Sequence, residues 1–191
     1  MSQAADPSHP ADPAGRGDPA DIDVRLLGSE DAVAYQALRL LGLRESPTAF
    51  AASFDEECDT PLDVVAERLA PQPDGARFGA FQGDSLVGIV GLQREGLSKL
   101  AHKAFIWGMQ VLPSARRLGV GRALMTQALV HAATVLGVRQ VTLGVNARNR
   151  PAIALYESLG FEAFGFERGN MLLDGELHDE IHMVNVLPSR H

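Results

Sequence analysis

Residues 114–124 read SARRLGVGRAL. Gly119 and Gly121 stand two apart, with Arg116 and Arg117 ahead of them and Arg122 behind. Upstream, Lys103 to Val111 alternates as a strand does, with Phe105, Trp107, Met109 and Val111 predicted on one face and Ile106, Gly108 and Gln110 on the other. Gly108 inside that strand predicts a bulge or a close approach. Downstream, Val120, Leu124, Met125, Ala128, Leu129, Ala132 and Leu136 recur at helical spacing until Gly137. The stretch therefore leaves a strand and enters a helix. Free backbone N–H groups converge at such a junction, and the helix dipole adds partial positive charge there. From the loop alone two readings stand, a tight turn with solvated arginines or a cradle for a phosphate group. It is not a Walker loop, since no Lys-Ser or Lys-Thr follows at the required spacing. It is a poor dinucleotide fingerprint, since the third glycine would fall at Leu124 and no acid follows some 20 positions on.

Charge favours the cradle. The chain of 191 residues carries a formal net charge of −7, which argues against a nucleic-acid partner. Yet from Gly96 to Tyr156 there is no Asp or Glu, and Lys99, Lys103, Arg116, Arg117, Arg122, Arg139, Arg148 and Arg150 give the window +8, leaving −7 − 8 = −15 elsewhere. The apolar fraction of 46% and charged fraction of 21% are those of a soluble domain, and no apolar run is long enough to span a membrane. Cys58 is the one cysteine, so no internal disulfide forms, which fits a cytoplasmic location; the N-terminus lacks an apolar signal segment. The histidines show no metal-ligand spacing, and no metal is expected.

Working outward, residues 1–20 hold no Val, Ile, Leu or aromatic side chain and read as a disordered tail. A single domain over 21–188 is expected. It begins with a strand over 23–27, then a helix capped by Ser29 and running to Leu43. A looser stretch, RESPTAFAASFDEECDT, precedes a helix opened by Thr60-Pro61 and reaching Leu69. Strands over 77–82 and 86–93 flank a turn at Gly83-Asp84-Ser85. After the long helix, Val141, Leu143 and Val145 alternate as a strand. Asn149 caps a further helix with Pro151 in its first turn and Gly160 as its stop. A hairpin turning at Asp174-Gly175 ends near Leu187. This order predicts an α/β fold with a mixed, mostly antiparallel sheet of six or seven strands and about four helices on both faces.

Two segments together carry a resemblance. Arg116-x-x-Gly119-x-Gly121-x-Ala123 after Val111-x-Pro113 is similar to the acetyl-coenzyme A signature of the GNAT superfamily of N-acetyltransferases. Asn146-x-x-Asn149-x-x-Ala152-x-x-Leu155-Tyr156-x-x-Leu159-Gly160-Phe161 resembles that family's second motif. LRLLGLRESPTAF at the front and LLDGELHDEIHMVNVL at the end agree, so the resemblance covers about residues 22–188 in matching order.

The resemblance implies acetyl transfer from acetyl-coenzyme A to a primary amine by direct attack. The pyrophosphate would lie on backbone N–H groups of Arg117, Leu118, Gly119, Val120, Gly121, Arg122 and Ala123, with side-chain charge from Arg116, Arg117 and Arg122. The pantetheine arm would pair with Met109, Gln110 and Val111. The Val111 N–H would polarise the thioester carbonyl, Asn149 would touch the donor, and Tyr156 would protonate the departing sulfur. Many relatives carry a glutamate base on the strand before the loop. This sequence has none there, so Glu57, Glu95, His102, Asp179, Glu180 or a water chain must serve. The segment with Phe50 and Glu57 would line the acceptor site. Its acidic cluster Asp55, Glu56, Glu57, Asp59 suits a small cationic amine. A protein N-terminal or lysine acetyltransferase, and a non-catalytic coenzyme A sensor, are the rival readings. Homodimers are common in the family.

Overall fold

Seven strands form one sheet in the computed structural model, which describes residues 22–188; the tail expected over 1–20 lies outside the described residues. In chain order the elements are β1 (Ile22–Leu26), α1 (Ala32–Glu45), α2 (Phe54–Glu57), α3 (Leu62–Leu69), β2 (Gly75–Gln82), β3 (Ser85–Arg94), β4 (Lys103–Val111), α4 (Val120–Thr134), β5 (Gln140–Asn146), α5 (Arg150–Glu157), β6 (Glu162–Leu173) and β7 (Glu176–Val186). The sheet order is β1-β2-β3-β4-β5-β7-β6. All neighbours are antiparallel except β4 and β5.

Alternation of apolar residues drives helices onto both faces. On one face α4 buries Val120, Leu124, Met125, Ala128 and Ala132 against Val90, Leu92, Ala104, Ile106, Val141 and Leu143. Leu124 and Met125 are fully buried, each contributing roughly 2 kcal/mol by removal of apolar surface from water. On the other face α1 and α3 bury Leu38, Val65 and Leu69 with Leu27, Phe81, Leu86 and Ile89.

Helix starts differ from expectation. Ser29 does not cap α1. It lies in a 3-10 turn, Ser29–Asp31, and its hydroxyl donates to the Ala66 carbonyl at 2.9 Å. Asp31 occupies the α1 N-cap position without a side-chain cap bond; its carboxylate turns back, accepting from the Gly28 N–H at 2.9 Å while Arg25 grips both of its oxygens at 2.7 Å. Thr60 does not cap α3, whose N-cap is Pro61. The short α2 was not foreseen, although Ser53 and Glu56 form a capping box with the S-x-x-E spacing that announces it.

The decisive irregularity is at Gly108. Ile89 pairs with Gln110 but Gly91 with Trp107, so one residue of β3 opposes two of β4. Gly108 has φ +63°, which a bulge of this kind favours. The expected bulge is present, but it reverses the side-chain parity. Phe105 and Trp107 point to the α1 face with Gln93 and Gly91. Gln110 joins them there, its Nε2 donating to the Leu38 carbonyl at 2.6 Å. Met109 and Val111 turn to the α4 face, against Gly121. The expectation that Phe105, Trp107, Met109 and Val111 share one face is therefore corrected.

Beyond the bulge the sheet opens. Pairing of β4 with β5 is confined to Lys103↔Gln140, Ala104↔Val141 and Phe105↔Thr142. Past those residues the two strands part.

Candidate active site

A cleft of about 1040 Å³ occupies the parting of β4 and β5. Three segments wall it: Gly42–Phe50, the end of α1 and the turn after it, the stretch from Met109 to Arg122, and the stretch from Asn146 to Tyr156. Of the predicted residues, Phe50, Met109, Gln110, Val111, Arg116, Arg117, Gly119, Gly121, Arg122, Asn149 and Tyr156 line it. Leu118, Val120 and Ala123 do not reach it with their side chains; Val120 is buried under α4 and Leu118 packs against the same core.

The loop is shaped by backbone conformation. Arg117 has φ +65° and Gly119 φ +84°, and Gly119 is the N-cap of α4 without a side-chain cap. The first α4 N–H used inside the helix is that of Ala123, donating to the Gly119 carbonyl at 3.0 Å. The N–H groups of Val120, Gly121 and Arg122 are therefore free of intrahelical partners. Gly121 serves a different purpose. A Cβ there would lie 3.1 Å from Met109 Cε and 3.2 Å from Leu155 Cδ2, so its bareness lets α4 approach β4 and α5.

Val111 presents backbone to the gap. The Leu112 N–H donates across β3 to the Val87 carbonyl at 2.9 Å. Successive N–H groups of a strand point to opposite sides, so the Val111 N–H points away from β3, into the gap. The Val111 carbonyl on that side accepts from Arg116 Nε at 3.2 Å. Arg122 ties α4 to the end of α5 through Ser158 Oγ at 2.7 Å.

Tyr156 closes the far wall from α5. It is 6% exposed, and desolvation pushes its hydroxyl up to about 12. It therefore keeps its proton at any physiological pH. Asn149 caps α5, its Oδ1 accepting from the Ala152 N–H at 3.3 Å. Asn146, quoted in the motif but given no role, links two walls. Its Nδ2 donates to the Thr48 carbonyl at 3.3 Å and its Oδ1 accepts from the Arg148 N–H at 2.9 Å.

The cleft is cationic on the loop side, with Arg116, Arg117, Arg122 and Arg148, whereas Lys99, Lys103, Arg139 and Arg150 lie outside its lining. Glu45 is the sole carboxylate among the lining residues. Sequence reasoning passed over Glu45, Gly42 and Ser46 because their place depends on how α1 ends over the sheet. Gln110 Oε1, buried at the cleft wall, has no hydrogen-bond partner among the described residues.

Glu57 is not brought into the cleft. Arg39 holds it at 3.0 and 2.7 Å, and both face a smaller cavity of about 270 Å³ beside Tyr35, Arg77 and Trp107. Glu56 is spent on the α2 capping box. None of the acidic cluster lines the cleft: Glu56 helps cap α2 and Glu57 pairs with Arg39. Phe50 does line the cleft, with the Arg39 guanidinium 4.7 Å over its ring. Of the other base candidates, Glu95 and His102 flank the start of β4. Eight residues of strand, about 26 Å, separate that end from Val111. Asp179 accepts from the Gly169 N–H at 2.9 Å within the final hairpin. Glu180 lies opposite Asn146. Among the described residues no group of three or more His, Cys, Asp or Glu could hold a metal ion, and no helix is long and apolar enough to cross a membrane.

Comparison with known proteins bears on this geometry. Residues 41–161 match the family model described as "Acetyltransferase (GNAT) family". A mycothiol acetyltransferase of Acidothermus cellulolyticus is 37% identical over 179 residues, covering 79% of this chain and 49% of that protein. The chain spans about half the length of the first mycothiol acetyltransferases it matches. Among solved structures, a GNAT-family acetyltransferase from Streptococcus pneumoniae superposes with a TM-score of 0.75 at 20% identity, covering 87% of this chain and 99% of that one. The yncA protein of Salmonella typhimurium, solved with its cofactor acetyl-CoA, gives a TM-score of 0.74 at 15% identity, with 90% and 97% covered. The matched model spans both the loop and the α5 motif, and the chain belongs to the acetyltransferase (GNAT) family.

Proposed function

We propose that the chain is a cytoplasmic N-acetyltransferase that moves an acetyl group from acetyl-coenzyme A to a small primary amine. One observation carries the reading: Gly119, Gly121 and Arg122 at the start of α4, Val111 and Tyr156 all line one cleft at the parting of β4 and β5.

The residues divide the work. Backbone N–H groups around Gly119–Arg122 hold the pyrophosphate, with Arg116 and Arg117 adding charge. Val111 donates to the thioester oxygen, where negative charge develops as the amine attacks. The acceptor arrives as an ammonium ion, and Glu45 is the carboxylate available to attract it. Tyr156 addresses the sulfur. Its hydroxyl at about 12 stands well above an ordinary thiol at about 8.5, so complete transfer to a free thiolate would run uphill by roughly 5 kcal/mol. Its role is therefore to donate a hydrogen bond as charge builds on sulfur, passing a proton on only as one is returned to it from the nitrogen.

The test is an assay of coenzyme A release against a panel of amines, amino acids and peptides, with Tyr156→Phe as the variant. Tyr156→Phe should lower kcat by about 100-fold while acetyl-coenzyme A affinity stays within about twofold. Full rate in the variant would remove Tyr156 from the mechanism. Tight coenzyme A binding with no acceptor turned over would favour a sensor.

A further inference from the structure

The amine must lose a proton before it attacks, and β4 offers no carboxylate. The other side of the gap does. The β5–β7 register sets Asn146 opposite Glu180 and Gly144 opposite His182. Directly opposed residues project to the same face of a sheet. For Asn146 that is the α1 face, because its side chain reaches the Thr48 carbonyl in the loop after α1. Gln110 lies on this face too.

Glycine seats the carboxylate. A Cβ on Gly144 would lie 2.2 Å from Glu180 Oε1, so the Glu180 side chain rests directly over the β5 backbone. Continuing the β4–β5 register two residues beyond Phe105↔Thr142 sets Gly144 across the gap from Trp107. Two residues further on the same face of β5, Asn146 lines the cleft. Glu180 thus rests over Gly144 of β5 and opposite Asn146, the β5 residue that lines the cleft.

The surrounding groups form a chain. Asn170 Nδ2 from β6 donates to Glu180 Oε2 at 3.1 Å. His182 Nδ1 stands 3.6 Å from Glu180 Oε1, and its Nε2 stands 3.0 Å from Glu167 Oε2 on β6. His178 is the next titratable group along the same face of β7. From β5 the neighbours are Gly144 and Asn146, both uncharged.

We propose that Glu180 is the general base that removes a proton from the acceptor ammonium, and that His182, backed by Glu167, relays that proton to solvent. This rests on the acetyl-transfer reading above. Burial raises Glu180 above the ordinary carboxylate range; His182 opposes the rise and Glu167 adds to it. A raised carboxylate is a better base near neutrality. The protons balance. Glu180 takes the first proton, and the freed lone pair forms the C–N bond as the C–S bond breaks. The second N–H proton reaches the departing sulfur by way of the Tyr156 hydroxyl. The proton on Glu180 leaves through His182, one released for each amide formed.

The experiment is kcat/KM against pH for wild type, Glu180→Gln, His182→Gln and Glu167→Gln, with acetyl-coenzyme A affinity measured alongside. Glu180→Gln should lose about 100-fold at neutral pH with affinity for acetyl-coenzyme A unchanged. Its residual rate should rise with pH as free amine accumulates. His182→Gln should move the acid limb of the profile to higher pH, and Glu167→Gln should move it to lower pH, opposite shifts that lost packing alone would not give. If Glu180→Gln kept more than a third of the wild-type rate, or retained the same acid limb, the base assignment would fall and the acetyl-transfer reading would stand. If the wild type turned over no amine, both would fall.

Discussion

The two walls of the cleft are built differently. The proposed donor wall, from Met109 to Arg122 with Asn149 and Tyr156, offers the unpaired backbone N–H groups of the α4 start beside its arginines, and two glycines set its shape. Gly119 is needed for its own φ of +84°, and Gly121 for the 3.1 Å its absent Cβ leaves to Met109. The proposed acceptor wall, Gly42–Phe50 with Asn146, presents side chains held by distant partners. Phe50 lies under Arg39, which is clamped by Glu57, and Asn146 reaches across to Thr48. Backbone N–H groups fixed by glycine geometry suit a donor whose phosphates never change. A wall of side chains fixed at long range suits an acceptor that differs between relatives.

The sharpest break of this contrast is Gly119→Val. A β-branched residue at that φ is strained by roughly 1–2 kcal/mol. If the loop relaxes to relieve the strain, acetyl-coenzyme A affinity should fall by roughly 5- to 30-fold. The KM for the amine should hardly move. Equal acetyl-coenzyme A affinity in isothermal titration would mean that the loop does not carry the phosphates.

Arg39→Ala probes the other wall. Arg39 is 8% exposed, and its removal strands the Glu57 carboxylate and uncovers Phe50. Breaking a pair this enclosed costs about 3 kcal/mol, discounted slightly because Glu57 is partly wet, and lowers Tm by about 6–10 °C. The expected kinetic signature is a raised KM for the amine with acetyl-coenzyme A affinity within about twofold of wild type. A fall in acetyl-coenzyme A affinity of the same size would show that the two walls are one unit.

The same contrast explains what the sequence disclosed. The strand–loop–helix around Gly119, the Asn149 cap and the hairpin turn at Asp174-Gly175 each rest on local chemistry, and each is where it was expected. The bulge at Gly108 was legible, but its effect on parity was not. A period-two pattern read through a bulge assigns Met109 and Val111 to the wrong face. Ser29 has a hydroxyl suited to capping α1, yet Ala66 on α3 captures it. Glu57 belongs to a cluster that looks like a cation site, yet Arg39, 18 residues away in sequence, takes it up. Glu45 gained significance only once the end of α1 was set beside the cleft, and Glu180 stood out from the other base candidates only once the β5–β7 register set it opposite Asn146. In each case the missing information was a partner distant in sequence.

The central claim is that acetyl-coenzyme A lies on the start of α4 and along the bulged end of β4. Backbone amide exchange, followed residue by residue with and without saturating acetyl-coenzyme A, tests it most directly. The account predicts new protection at Gly119, Val120, Gly121 and Arg122 and at the Val111 N–H, with little change in Phe54–Leu69. Saturable binding that leaves those amides unprotected, or that protects the small cavity beside Trp107 instead, would contradict it.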